Sequence, residues 1–96
     1  MNDLLELLKN NEDKQELSEA LDDGRFKFLG EKGFVAWLEL VRDGQLWIYI
    51  SHLYIRPEHR NFTNMRKFYV ELSKFFRRKY PQAIFYWHRN NKFYYR

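Results

Sequence analysis

The stretch from Leu53 to Phe68, LYIRPEHRNFTNMRKF, gathers the groups of this chain most able to do chemistry. Arg56, His59, Arg60, Arg66 and Lys67 crowd a turn between a strand-like run and an amphipathic helix. A helix start has unpaired amides and the positive end of the dipole, so this arrangement aims a backbone at a phosphate. Cations there are unfavourable unless an anion joins them. Yet the turn has no glycine, and a close approach of an anion to the backbone favours one. Asn61, Thr63 and Asn64 can cap the helix and take the amides a phosphate would need. His59 either meets a phosphate or faces water. The chemistry on offer is anion binding.

Net charge is +4, but it is unevenly spread. Residues 1 to 55 carry six Lys/Arg against eleven Asp/Glu, whereas residues 56 to 96 carry eleven against two. Such a split suggests an anionic partner for the second half: a cofactor phosphate, nucleic acid or an acidic protein surface. The plainer alternative is that acidic and basic elements lie against each other and neutralise. A nucleic-acid surface would use the cations for phosphates and Tyr86, Trp87, Phe93, Tyr94 and Tyr95 for stacking, although no recognition-helix, RRM or zinc pattern is present. Glu39, an acid on an otherwise apolar strand, is either a base or the partner of a neighbouring arginine. No spacing suggests a metal, and neither a Gly-x-Ser-x-Gly nor a Walker-type loop is present.

These residues need elements to hold them. Leu4, Leu5, Leu7, Leu8, Leu17, Ala20 and Leu21 recur at helical spacing, predicting one helix over 3 to 22 or two broken near Asn10-Asn11, ended by Gly24. Residues 25 to 29 and 34 to 41 read as antiparallel strands, followed by the Asp43-Gly44 hairpin signal. In the next strand, QLWIYISHLYI (45 to 55), Leu46, Ile48 and Ile50 share one face, but Leu53 and Ile55 fall on the other parity. One extra residue at Ser51 or His52, a β-bulge, restores all five to one face. Phe62, Met65, Phe68, Tyr69, Leu72, Phe75, Phe76 and Tyr80 then form a helical stripe, closed by Arg77-Arg78-Lys79 and Pro81. Residues 83 to 88, AIFYWH, read as a buried strand parallel to the bulged one through a right-handed crossover. The class is α+β.

Ninety-six residues, 45% apolar and 20% aromatic, suffice for one domain with a ring-rich core: a helical segment over 1 to 23 and a sheet-and-helix core over 25 to 96. Absence of cysteine excludes disulfides and thiolate metal sites and fits a reducing cytoplasm. No segment reaches the roughly 18 apolar residues of a membrane span, and the N-terminus lacks a signal-peptide pattern, so the chain reads as soluble.

The order of elements, with a bulged strand ending in Leu53-Tyr54-Ile55-Arg56-Pro57-Glu58-His59-Arg60, a long helix, the strand Ile84 to Trp87 and an Asn-and-Tyr tail, resembles the core of the GNAT family of acyl-CoA-dependent N-acetyltransferases. The resemblance spans roughly residues 25 to 96. It implies that Leu53, Tyr54 and Ile55 offer backbone amides to the pantetheine of acetyl-CoA, and that the bulged strand parts from the next. It also implies that the loop Arg60-Asn61-Phe62-Thr63-Asn64-Met65 takes the pyrophosphate. The family patterns that loop Arg/Gln-x-x-Gly-x-Gly/Ala; here the arginine stands, but Thr63 and Met65 fill both small positions. His52, at the bulge, is where a family enzyme places a general base, and Tyr94 resembles the tyrosine that protonates the leaving thiolate. Each has a plainer alternative, a half-exposed strand histidine and a packed aromatic tail. The filled loop favours a fold kept without the cofactor. The leading expectation is therefore a non-catalytic binding protein whose surface runs from Arg56 and His59 through Arg66, Lys67, Lys74 and Arg78 and meets an acidic protein or another anionic macromolecule. A small active acetyltransferase and a nucleic-acid-binding module are the alternatives. A homodimer could cover the aromatic sheet edge, and the reduced size suits a compact genome such as a phage's.

Overall fold

The computed structural model describes residues 13–86. Helix α1 (Lys14–Asp22) leads into β1 (Phe26–Phe28), β2 (Gly33–Arg42) and β3 (Gln45–Ile55). A single 3-10 turn (Pro57–His59) precedes helix α2 (Phe62–Lys79), and β4 (Ile84–Tyr86) follows it. The sheet order is β1-β2-β3-β4, antiparallel except for the β3/β4 pair, which is parallel. The class is thus α+β, with a mixed sheet of four strands and two helices among the described residues. Among the described residues no helix is long and apolar enough to cross a membrane.

Local chemistry sets most boundaries. Gly24 follows α1 with φ of 74°, a left-handed conformation that costs glycine little. Asp43 and Gly44 have φ of 54° and 75°, so both central residues of the β2–β3 turn are left-handed, as the twist of a two-residue hairpin requires. Asn61 caps α2: its side-chain oxygen accepts the Asn64 amide at 2.9 Å.

The bulge stands where the aliphatic register changes. Ala36 pairs with His52, and Trp37 pairs with Ile50, leaving Ser51 as the extra residue of β3. Ile48, Ile50, Leu53 and Ile55 consequently belong to one buried cluster with Phe68, Leu72 and Phe76 of α2, and Leu46 packs against it. On the opposite face Leu17 and Ala20 of α1 cover Phe34, Ala36 and Tyr54. Trp37 closes the α2 side as a latch: its indole N–H donates to the Tyr80 hydroxyl at 2.8 Å. Burial, opposed by the Trp37 contact and reinforced by the Glu39 carboxylate, pushes the Tyr80 hydroxyl up to about 12.

Three expectations change, and others fall on residues the structure does not describe. Residues 3 to 12 and 87 to 96 fall outside the described residues, so the first part of the predicted N-terminal helix, the candidate Tyr94 and the divergence of β3 from β4 beyond the bulge lie there too. The strand after α2 is not fully buried: Ile84 is exposed, since it lies on the α1 side of the sheet, beyond the reach of a nine-residue helix. Phe62, 82% exposed, and Tyr69 leave the α2 core stripe and face outward. Glu39 neighbours Tyr80 instead of an arginine, while Arg25 is engaged by Asp23 and the Trp37 carbonyl.

Candidate functional site

Two places carry chemistry: the start of α2 and the bulge. At the helix start the amides are contested by the chain itself. Asn61 holds the Asn64 amide, Met65 turns to the core, and Thr63 is exposed beside them. Arg60, the one residue matching the expected pyrophosphate pattern, folds back: its Nε donates to the Ile55 carbonyl, and its guanidinium lies 5.5 Å from the Tyr54 ring. Arg56 likewise donates to the Glu31 carbonyl. Arg56 therefore ties the end of β3 to the β1–β2 loop, Arg60 folds onto the last residues of β3 itself, and His59 is half-buried in the turn between them.

Leu53, Tyr54 and Ile55 are buried and pair with Val35, Phe34 and Gly33 on the β2 side. Their fit is tight. A side chain at Gly33 would meet the Tyr54 carbonyl oxygen at 1.9 Å.

The outer face of α2 is open. Phe62, Tyr69 and Val70 form an apolar floor, Met65 borders it from the core side, and Arg66, Lys74 and Arg77 stand along it as cations in one shallow groove. Lys67 and Arg78 continue the positive surface on the adjoining stripe of the helix, both exposed. Arg66, Lys67, Lys74 and Arg78 are exposed along α2, whereas Arg56 and Arg60 withdraw to backbone carbonyls. Sequence reasoning assigned Phe62 and Tyr69 to the core and so missed the groove's floor. Their offset from Phe68, Leu72 and Phe76 by a fraction of a turn was the available signal.

At the bulge, His52 is buried, with 5% of its surface exposed, under the first turn of α1. Its Nδ1 lies 2.9 Å from Ser51 Oγ, which also reaches the Ala36 carbonyl at 3.2 Å. Its Nε2 faces Asp13 Oδ2 at 3.4 Å and Glu16 Oε2 at 3.8 Å. These three side chains are the group able to hold a metal ion among the described residues. Sequence spacing gave no hint of it, because His52 is 39 positions from Asp13 and acids in a first helical turn are common for reasons of dipole alone.

Trp47, Tyr49 and Tyr86 make an aromatic set on the α1 side of the sheet, with Tyr86 at 5.8 Å from Trp47 and 5.0 Å from Tyr49, ring centre to ring centre. Trp47 meets Tyr86 edge to face, and Tyr49 lies tilted against it. Comparison with protein-family models, with curated proteins and with solved structures finds no match for this chain.

Proposed function

We propose that this chain is a reduced GNAT-like domain that works as a binding protein, taking an acidic protein surface along the outer face of α2. The observation that carries the reading is the α2 groove, an apolar floor of Phe62, Tyr69 and Val70 flanked by Arg66, Lys74 and Arg77. Apolar contact supplies the affinity there, and the cations select carboxylates and speed encounter. The GNAT-like assignment is supported by the order of elements, the bulge at Ser51 and the parallel β3/β4 pair. The absence of a cofactor role is supported by the helix start, where Asn61 takes an amide and Arg60 turns back to Ile55.

Calorimetric titration with acetyl-CoA is expected to give no saturable heat at micromolar concentrations. A micromolar complex that is lost on Arg60→Ala would overturn the cofactor-free reading and make the protein an acetyltransferase. In parallel, a peptide rich in Glu and Leu is expected to shift the amide signals of Arg66, Tyr69 and Lys74. Should a DNA or RNA oligonucleotide shift them instead, with affinity falling steeply with salt, the face belongs to nucleic acid.

A further inference from the structure

We propose that Asp13, Glu16 and His52 form a binding site for a divalent transition-metal ion, of which zinc is the best fit, clasping the first turn of α1 to the bulge of β3. The three donor atoms lie within 4.8 Å of one another. His52 Nε2 stands 3.4 Å from Asp13 Oδ2 and 3.8 Å from Glu16 Oε2. The nearer contact is a long hydrogen bond when Nε2 carries a proton, and both separations exceed the ~2.7–2.9 Å of a charge-assisted one. A zinc ion with bonds of ~2.0–2.2 Å, in contrast, holds tetrahedral ligand atoms about 3.3 Å apart. The two separations from His52 are close to that span, and the exposed Glu16 side chain, within 4.8 Å of the other donors, completes the set by a small rotation.

The hydrogen bonds around the histidine set it up for that role. Ser51 has one hydroxyl proton, and the Ala36 carbonyl, which can only accept, lies within reach of it at 3.2 Å. With that proton engaged, the 2.9 Å contact to His52 requires Nδ1 to donate. In the neutral ring Nε2 then presents its lone pair toward the two carboxylates. Fixing one ring nitrogen by an outer hydrogen bond so that the other can ligate is the usual arrangement of a metal-bound histidine. Asp13 occupies the N-cap position of α1, and its carboxylate turns to His52. Two carboxylates and a neutral imidazole balance a dication, which suits a histidine side chain only 6% exposed. Glu16, on the solvent side with 58% of its side chain exposed, provides the path of entry. One imidazole and two carboxylates suit zinc, and the mixed set also admits manganese more weakly.

The test is titration of the chelator-treated protein with zinc chloride, followed by calorimetry, thermal unfolding and the ring signals of His52. The expected result is one equivalent bound, a Tm rise of about 5 °C or more at roughly a hundredfold excess over Kd, and a shift of the His52 ring resonances. Glu16→Gln, at an exposed position that should not disturb folding, is expected to weaken binding at least about tenfold, and Asp13→Asn likewise. His52→Gln should abolish it if the variant folds. Absence of a Tm shift, binding of equal strength in Glu16→Gln, or His52 resonances that respond to pH but not to zinc would each overturn the proposal and leave a protonated histidine between two acids.

Discussion

The two faces of the β-sheet are built from alternate residues of the same strands, yet they end up with different work. On the α2 side, Trp37, Ile48, Ile50, Leu53 and Ile55 meet an 18-residue helix and are closed off from water. On the α1 side a nine-residue helix covers Phe34, Ala36 and Tyr54, and past the bulge Leu38, Leu40 and Ile84 remain exposed. The buried histidine and its acids sit at the boundary between the covered and open parts. Stability is concentrated where the cover is complete, and polar chemistry collects where it stops.

The bulge is what keeps the faces distinct, so the strongest way to break the comparison is to remove it. Deleting Ser51 shifts Leu46 to Ile50 against Leu53 and Ile55 by one residue, sending one group to the wrong face. The expected outcome is loss of the cooperative unfolding transition, seen by circular dichroism in a urea titration. A graded contrast follows from single truncations. Phe76→Ala should cost about 3–5 kcal/mol in the same titration, while Leu40→Ser should stay within about 0.5 kcal/mol. A large cost for Leu40→Ser would mean that the open part of the α1 side is covered after all. The smallest effect concerns the latch on the α2 side. Because the Tyr80 hydroxyl is raised from 10.0 to about 12, the folded state holds its proton longer than the unfolded chain does. Stability from this source is complete below pH ~10 and is lost as pH rises toward about 12. Tyr80→Phe should remove that slope in a series of unfolding curves across the interval.

Much of the sheet was legible in the sequence because its signals are local. The parity change between Ile50 and Leu53 narrowed the bulge to Ser51 or His52, of which Ser51 is the extra residue, and Asp43-Gly44 located the hairpin turn, since each depends on residues a few positions apart. The α2 stripe was legible in its middle, at Phe68, Leu72 and Phe76, but not at Phe62, where the first turn of the helix overhangs the sheet. The strand after α2 looked buried because its composition is apolar, yet Ile84 is exposed: how far α1 reaches is a matter of length and placement that strand composition does not encode. The meeting of Asp13 and Glu16 with His52 was invisible for the same reason, as it is produced by packing between segments far apart in the chain. The withdrawal of Arg60 from the helix start to the Ile55 carbonyl also depends on tertiary placement.

Gly33 sets a limit on how this chain can be altered. Its neighbour across the strands is the Tyr54 carbonyl at a distance no side chain tolerates, and the adjacent Lys32 carbonyl accepts the Arg56 amide at 2.7 Å. The obstacle is backbone, which cannot rotate aside as a flexible side chain would. In a library that randomises β2, position 33 should therefore return glycine alone, whereas position 41, whose valine is 71% exposed, should accept most residue types. One strand thus holds both an immutable letter and a free one, and a redesign of the turn that follows β3 has to start by leaving the former untouched.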